Sequence, residues 1–165
     1  MENILLNSSW GIGFSCSKYN SIESNLISNN YCGLRIWLTS DNNRVVGNTI
    51  SNNDVGIWID GSDNNIIYHN NFINNTNQVY IYDSYNNTWD NGYPSGGNYW
   101  SDYEGIDLYS GPYQNETGSD GIGDTPYIID ENNIDRYPLM NPWTPEHDIS
   151  LTNVSLSKSV VGQGY

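Results

Sequence analysis

A chain of 165 residues is long enough for one ordinary domain, but at 36% hydrophobic residues it cannot fill a thick, many-layered core. Aromatic residues make up 13%, with 14 Tyr and 6 Trp, and disordered chains are poor in those side chains, so disorder is excluded as well. The formal net charge of -14 repels phosphate backbones and anionic lipid, which disfavours nucleic acid and membrane surfaces and leaves divalent cations and neutral sugars as permitted partners.

From Asn20 to Asn87 the chain repeats itself. Asn20, Asn43, Asn65 and Asn87 are separated by 23, 22 and 22 residues, Asn25, Asn48 and Asn70 keep the same rhythm, and the pairs Asn29-Asn30, Asn52-Asn53 and Asn74-Asn75 form a third column. From Gly11 onward each unit reads as three short strands bounded by Asn, Asp, Ser or Gly. Period-two alternation puts Leu34, Ile36, Ile57, Ile59, Val79 and Ile81 on one inward face. Ile22, Val45 and Ile67 form a second inward column, and Ile27, Ile50 and Phe72 a third. Helix formers are scarce and β-branched residues common, which argues against a helical repeat. The predicted fold is all-β: a right-handed, three-sided parallel β-helix with coils of about 22 residues. Its Asn columns are expected to bond amide to amide at the corners, as in cross-β ladders.

In this register Cys16 falls over Leu38, and Cys32 over Val55 and Trp10, which separates the two by ~20 Å along the strands, beyond disulfide reach. Two buried free thiols are expected. Outward, Gly13, Arg35, Trp58 and Tyr80 stack in one ladder, and Ser15, Trp37, Asp60 and Tyr82 in the next. Arg35, Trp37, Trp58, Asp60, Tyr80 and Tyr82 are the candidate carbohydrate-binding residues: aromatic faces suit the C–H face of a pyranose, while the charged pair suits its hydroxyls. The alternative is that the rings pack on one another, or lie beneath a neighbouring module. A glycosidase needs two carboxylates about 5 to 9.5 Å apart. These ladders supply only Asp60, and Asp41 and Asp63 sit at corners as turn residues, so no catalytic residue is assigned. A polysaccharide lyase or glycoside hydrolase, with its remaining groups in other coils, stays as the rival reading.

Residues 89–145 break the period. They contain the strings WDNGYPSGGNYWSDY (89–103), SDGIGDTPY (119–127) and DRYPLM (135–140). Such a Gly- and aromatic-rich segment is suited to covering the open strand edges of a solenoid. Following Asn-rich coils, these strings resemble the terminal module of NosD-like parallel β-helix proteins, a group common among archaeal surface proteins and related to carbohydrate-binding and sugar-hydrolase solenoids. The resemblance implies a loop-rich C-terminal cap and a cell-surface setting.

The cap is dense in oxygen ligands. Asp120 and Asp124 flank glycines that let the backbone curl, so Ca²⁺ is a candidate cofactor there, with Asp102, Asp107, Asp130 and Asp135 as further ligands. The string is not an EF-hand. The other reading is that each Asp caps a turn. NosD-like proteins are associated with copper-site assembly, but Cu(I) prefers Cys and Met and Cu(II) prefers His. Met1, Met140, His69 and His147 are far apart in sequence, and His69 falls in a corner column with Ser24 and Gly47, so copper is not expected.

Residues 147–157 resemble the first strand of a cell-adhesion-related Ig-like domain, which needs several more strands to close. Three segments follow: coils at 1–88, cap at 89–145, and the start of an Ig-like domain or a linker at 146–165. No apolar run spans a bilayer. Glycosylation sequons begin at Asn7, Asn74, Asn86, Asn115 and Asn153. The expected setting is extracellular or cell-surface, as a spacer or adhesion element of a longer modular protein. Its expected partners are a glycan or cell-surface polymer and further domains of the same polypeptide.

Overall fold

The computed structural model describes residues 3–145; the segment compared with an Ig-like strand, from His147, lies outside them. Among the described residues there is no helix. The coils comprise β1 (Ile4–Leu6), β2 (Trp10–Ser15), β3 (Ser21–Glu23), β4 (Leu26–Ser28), β5 (Cys32–Trp37), β6 (Arg44–Val46), β7 (Thr49–Ser51), β8 (Val55–Asp60), β9 (Ile66–Tyr68), β10 (Asn71–Ile73) and β11 (Asn77–Tyr82). After them come β12 (Tyr99–Trp100), β13 (Tyr109–Ser110), β14 (Glu116–Thr117), β15 (Tyr127–Ile128) and β16 (Ile134–Asp135). Three parallel sheets form the sides of a solenoid, with orders β1-β4-β7-β10-β12, β2-β5-β8-β11 and β3-β6-β9. The first sheet therefore runs on into the non-repeating segment through β12.

The core is a set of vertical columns. Leu5, Ile27, Ile50, Phe72 and Trp100 are in register along the first sheet. Ile22, Val45 and Ile67 align in the third sheet, and the Ile66–Thr88 bridge brings Trp89 next in that column. Leu34, Ile36, Ile57 and Ile59 are fully buried, as their alternation predicts. Side chains grow toward the end of the stack. Phe72 stacks on Trp100 at 4.3 Å and 7°, and Trp100 on Tyr127 at 4.3 Å and 7°. Trp89 and Trp100 are both buried, so indole plates cover the area that a further coil would otherwise cover.

The paired Asn residues do two different jobs. Asn29, Asn52 and Asn74 take φ of 56, 53 and 53°, the left-handed region that Asn tolerates better than most residues, and they turn the chain at an exposed corner. Their neighbours Asn30, Asn53 and Asn75 are buried and form the ladder: the backbone N–H and Nδ2 of each donate to Oδ1 of the next, as Asn30 does to Asn53 at 2.9 and 3.2 Å. Asn42, Asn64 and Asn86 repeat the turning role ahead of Asn43, Asn65 and Asn87, which the repeat spacing alone did not separate. A further ladder, Ser17–Ser40–Ser62–Ser84, runs through the same corner by backbone N–H to Oγ bonds of 3.0 to 3.1 Å.

The ladders also define how the stack ends. The column Asn25–Asn48–Asn70 extends to Asn98, whose Oδ1 accepts both the N–H and Nδ2 of Asn70 at 3.0 Å. Asn98 then donates its own N–H to Asp135 Oδ2 at 2.7 Å, so a carboxylate stands where the next Asn Oδ1 would be. The column through Asn75 ends on Gln78 Oε1 at 2.9 Å, and Gln78 Nε2 passes the chain to Ser101 and Asp102.

One thiol departs from expectation. Cys32 is buried, but Cys16 is exposed, because with φ of 50° it sits in the outer corner column that also turns Leu38 to solvent.

Candidate functional site

The second sheet carries the aromatic face. Its register brings Gly13, Arg35, Trp58 and Tyr80 into line, and beside them Ser15, Trp37, Asp60 and Tyr82, so all six candidate carbohydrate-binding residues share one outward surface. The rings are partly engaged with each other. Trp58 meets Tyr80 edge to face at 4.8 Å, and Trp10 meets Trp37 at 5.1 Å. The guanidinium of Arg35 lies among three indoles, 4.9 Å from Trp10, 5.0 Å from Trp37 and 4.6 Å from Trp58. A Cβ on Gly13 would come within 2.9 Å of the Trp37 ring, so the missing side chain there is what lets that indole lie down on the sheet. Trp10 at 44%, Tyr80 at 46% and Tyr82 at 62% exposure form the open rim.

Trp10 is the residue that ladder reasoning missed. It aligns with Cys32 rather than with Arg35, and only the length of the arginine side chain, reaching back one coil, brings them together. Beneath the cluster, burial pushes the Cys32 thiol up to about 11, leaving it protonated and unreactive at neutral pH. Asp60 forms no ion pair with Arg35. A second surface, invisible to the repeat, is a cleft of about 650 Å³ beside Trp143, whose ring stacks on His69 at 5.1 Å and whose backbone is clamped by Asn71.

The six cap carboxylates are distributed among separate turns. Asp107 accepts the N–H groups of Asp120 and Gly121 at 3.1 and 2.8 Å, and Asp124 accepts those of Leu108 and Tyr109 at 3.0 and 3.1 Å, so two loops clamp each other reciprocally. Asp120 takes the N–H of Ile122 and Nε2 of Gln114. Asp130 closes its own turn through Asn132 and Asn133, and Asp102 receives Gln78 and Tyr127. Of the six, only Asp135 is buried, accepting Asn98 N–H, Trp100 Nε1–H at 2.9 Å and Tyr137 N–H at 3.1 Å. Among the described residues no three His, Cys, Asp or Glu side chains come together as a metal-holding group.

Two buried cap carboxylates have opposite electrostatics. Burial alone would raise Asp90, but a bidentate contact from Arg136 at 2.7 and 2.9 Å outweighs it and holds the group below its ordinary value. Burial pushes Asp135 up to about 7, against the pull of its N–H donors. The folded state thus binds that proton more tightly than the unfolded chain, whose carboxyl titrates near 3.8. The contribution is full below about pH 4 and is lost as pH rises toward 7. Melting temperature is expected to fall across that window, and Asp135→Asn, which keeps an acceptor for Asn98, is expected to flatten the slope. A wild-type profile that instead rises from pH 4 to 7 would mean that the donors outweigh burial. Asp90 acts lower, its stabilisation disappearing as pH falls below the ordinary carboxylate range.

A family model described as periplasmic copper-binding protein (NosD) matches residues 1–105, the coils and the first turn of the cap. The chain belongs to the NosD family. No curated protein and no solved structure matches it. Among the described residues of this NosD-family chain, the copper named in the family description finds no fitting donor set. Cys32 is buried and donates to Leu34 O, Cys16 lies at an outer corner, and His69 Nε2 is engaged with Ser95 O at 2.7 Å.

Proposed function

We propose that this NosD-family chain is an extracellular or envelope β-helix module, a spacer or adhesion element whose second sheet presents a glycan-binding face. The observation that carries this reading is the alignment of Arg35, Trp37, Trp58, Tyr80 and Tyr82 on one outward surface of successive coils, joined by the Trp10 ring packed against Trp37 and Arg35, with an exposed aromatic rim. Aromatic rings with nearby hydrogen-bonding groups suit pyranose rings, which are apolar on one face and polar at the edges. The exterior setting is supported by the periplasmic designation of the family and by the exposure of the sequon residues Asn7, Asn74, Asn86 and Asn115. The enzyme alternative has less to draw on, since Asp60 is the only carboxylate in these two ladders.

A glycan array tests the reading. Wild type is expected to retain ligands that Trp37→Ala and Trp58→Ala lose by about tenfold or more, each variant keeping its melting temperature within a few degrees. Silence of the wild type across the array would leave a spacer without a glycan face. Polysaccharide turnover abolished by Asp60→Asn would favour the enzyme.

A Ca²⁺-stabilised cap is a separate element of the proposal, resting on the placement of Asp107, Asp120 and Asp124 in two loops joined by reciprocal hydrogen bonds. Thermal melts in Ca²⁺ and in EDTA decide it. A bound ion would raise the melting temperature by several degrees by mass action, and coincident curves would remove the ion from the account.

A further inference from the structure

Arg35 is the one cation among the described residues without an acidic partner. Lys18 pairs with Asp41 at 2.6 Å, Arg44 with Glu23, and Arg136 with Asp90 at 2.7 Å. In a chain of net charge -14, carboxylates are not scarce, and Asp60 stands in the adjoining ladder one coil away. Three indoles hold the guanidinium instead. Aromatic faces attract a cation without neutralising it. They also displace water from its sides, so an anion arriving from the open side meets a less screened charge.

The two buried side-chain atoms left without a partner in the cluster are both donors. Arg35 Nε and Trp58 Nε1 are buried without any acceptor, and unmatched donors of this kind are uncommon in folded proteins. An acceptor-only group is the chemical complement, and a carboxylate matches the planar fork of a guanidinium in geometry as well as charge. The exposed rim of Trp10, Tyr80 and Tyr82 adds apolar surface beside it. Net charge by itself points to neutral sugars, but at physiological ionic strength charges beyond about 8 Å are largely screened, so the local guanidinium governs a single carboxylate.

The geometry points to a uronic-acid-containing glycan as the ligand of this face, with a uronate carboxylate on Arg35 and its pyranose against the exposed rings. This rests on the glycan-binding reading above and narrows it to a substrate class.

Calorimetry with matched pairs of oligosaccharides separates the two claims. Hyaluronan, alginate and galacturonan fragments are compared with the same fragments after their carboxyl groups have been reduced to alcohols. At least one acidic fragment is expected to bind about tenfold tighter than its reduced form, with the advantage shrinking as salt is added. Arg35→Gln is expected to erase that advantage and leave both members of the pair at the weaker level, while Arg35→Lys keeps part of it. Circular dichroism and melting curves establish that both variants are folded. Equal binding of acidic and reduced fragments, or binding of neutral array glycans alone, overturns the uronate assignment while leaving the glycan face intact. No binding by either set, together with a silent array, overturns both.

Discussion

Asn98→Ala is expected to be among the most damaging single truncations in the described residues. Asn98 is fully buried and its side chain makes four hydrogen bonds of 3.0 Å or shorter. Its Oδ1 accepts two bonds from Asn70, and its Nδ2 donates to Ile67 O at 3.0 Å and Trp89 O at 2.7 Å. Alanine cannot make any of these contacts, and the groups it orphans lie in the interior. With each orphaned buried group costing about 1–3 kcal/mol, the loss is on the order of 4 kcal/mol or more, a large part of the roughly 5–15 kcal/mol that holds a typical domain together. The measurement is a denaturant midpoint against Asn132→Ala, an exposed turn position expected to change it little. Equal midpoints for the two variants would show that the ladder contributes nothing at its end.

Trp100→Ala is the second large effect, and it acts through packing. The indole is sandwiched between Phe72 and Tyr127, is essentially inaccessible to solvent, and donates Nε1–H to Asp135. Its removal opens a cavity at the end of the core, a change that costs about 3–5 kcal/mol for a buried Trp. It also takes one donor from a buried carboxylate that has no cationic partner. Trp100→Phe, which keeps a stacking ring but loses the N–H, separates the two contributions. Alanine is expected to lower the melting temperature far more than phenylalanine; similar losses would assign the effect to the hydrogen bond instead of the plate.

Both residues lie where the repeat stops, and both were harder to read than the coils. The strands of the repeat were legible because one side chain in two faces the core, so Ile36, Ile59 and Ile81 announce their register by spacing alone. The Asn columns were equally legible as columns. Their division of labour was not, since the spacing of Asn29 and Asn30 is identical and only backbone geometry distinguishes a turning residue from a ladder residue. The aromatic face was legible as a set of outward positions. That Trp10 joins it depended on its ring meeting Trp37 and on how far the Arg35 side chain reaches, which strand periodicity does not encode. Cys16 was misplaced for a related reason: its column was right, but the corner turned that column outward.

The cap shows the limit most clearly. Nothing in its composition distinguishes Asp135 from Asp130, yet one closes a local turn at the surface and the other terminates a ladder in the interior. Asn98 and Asp135 are 37 residues apart with no repeat between them, so no local signal connects them.

The sequence by itself determined the coil length, the parallel register, the inward columns and the outward placement of Arg35 and its neighbours, because each follows from a period that every coil repeats. Only the tertiary structure decided how the stack is closed, which carboxylate is buried, and that Arg35 is surrounded by indoles rather than acids. Those outcomes depend on contacts made once, between residues distant in the chain, where side-chain reach and the shape of the remaining space settle the partner.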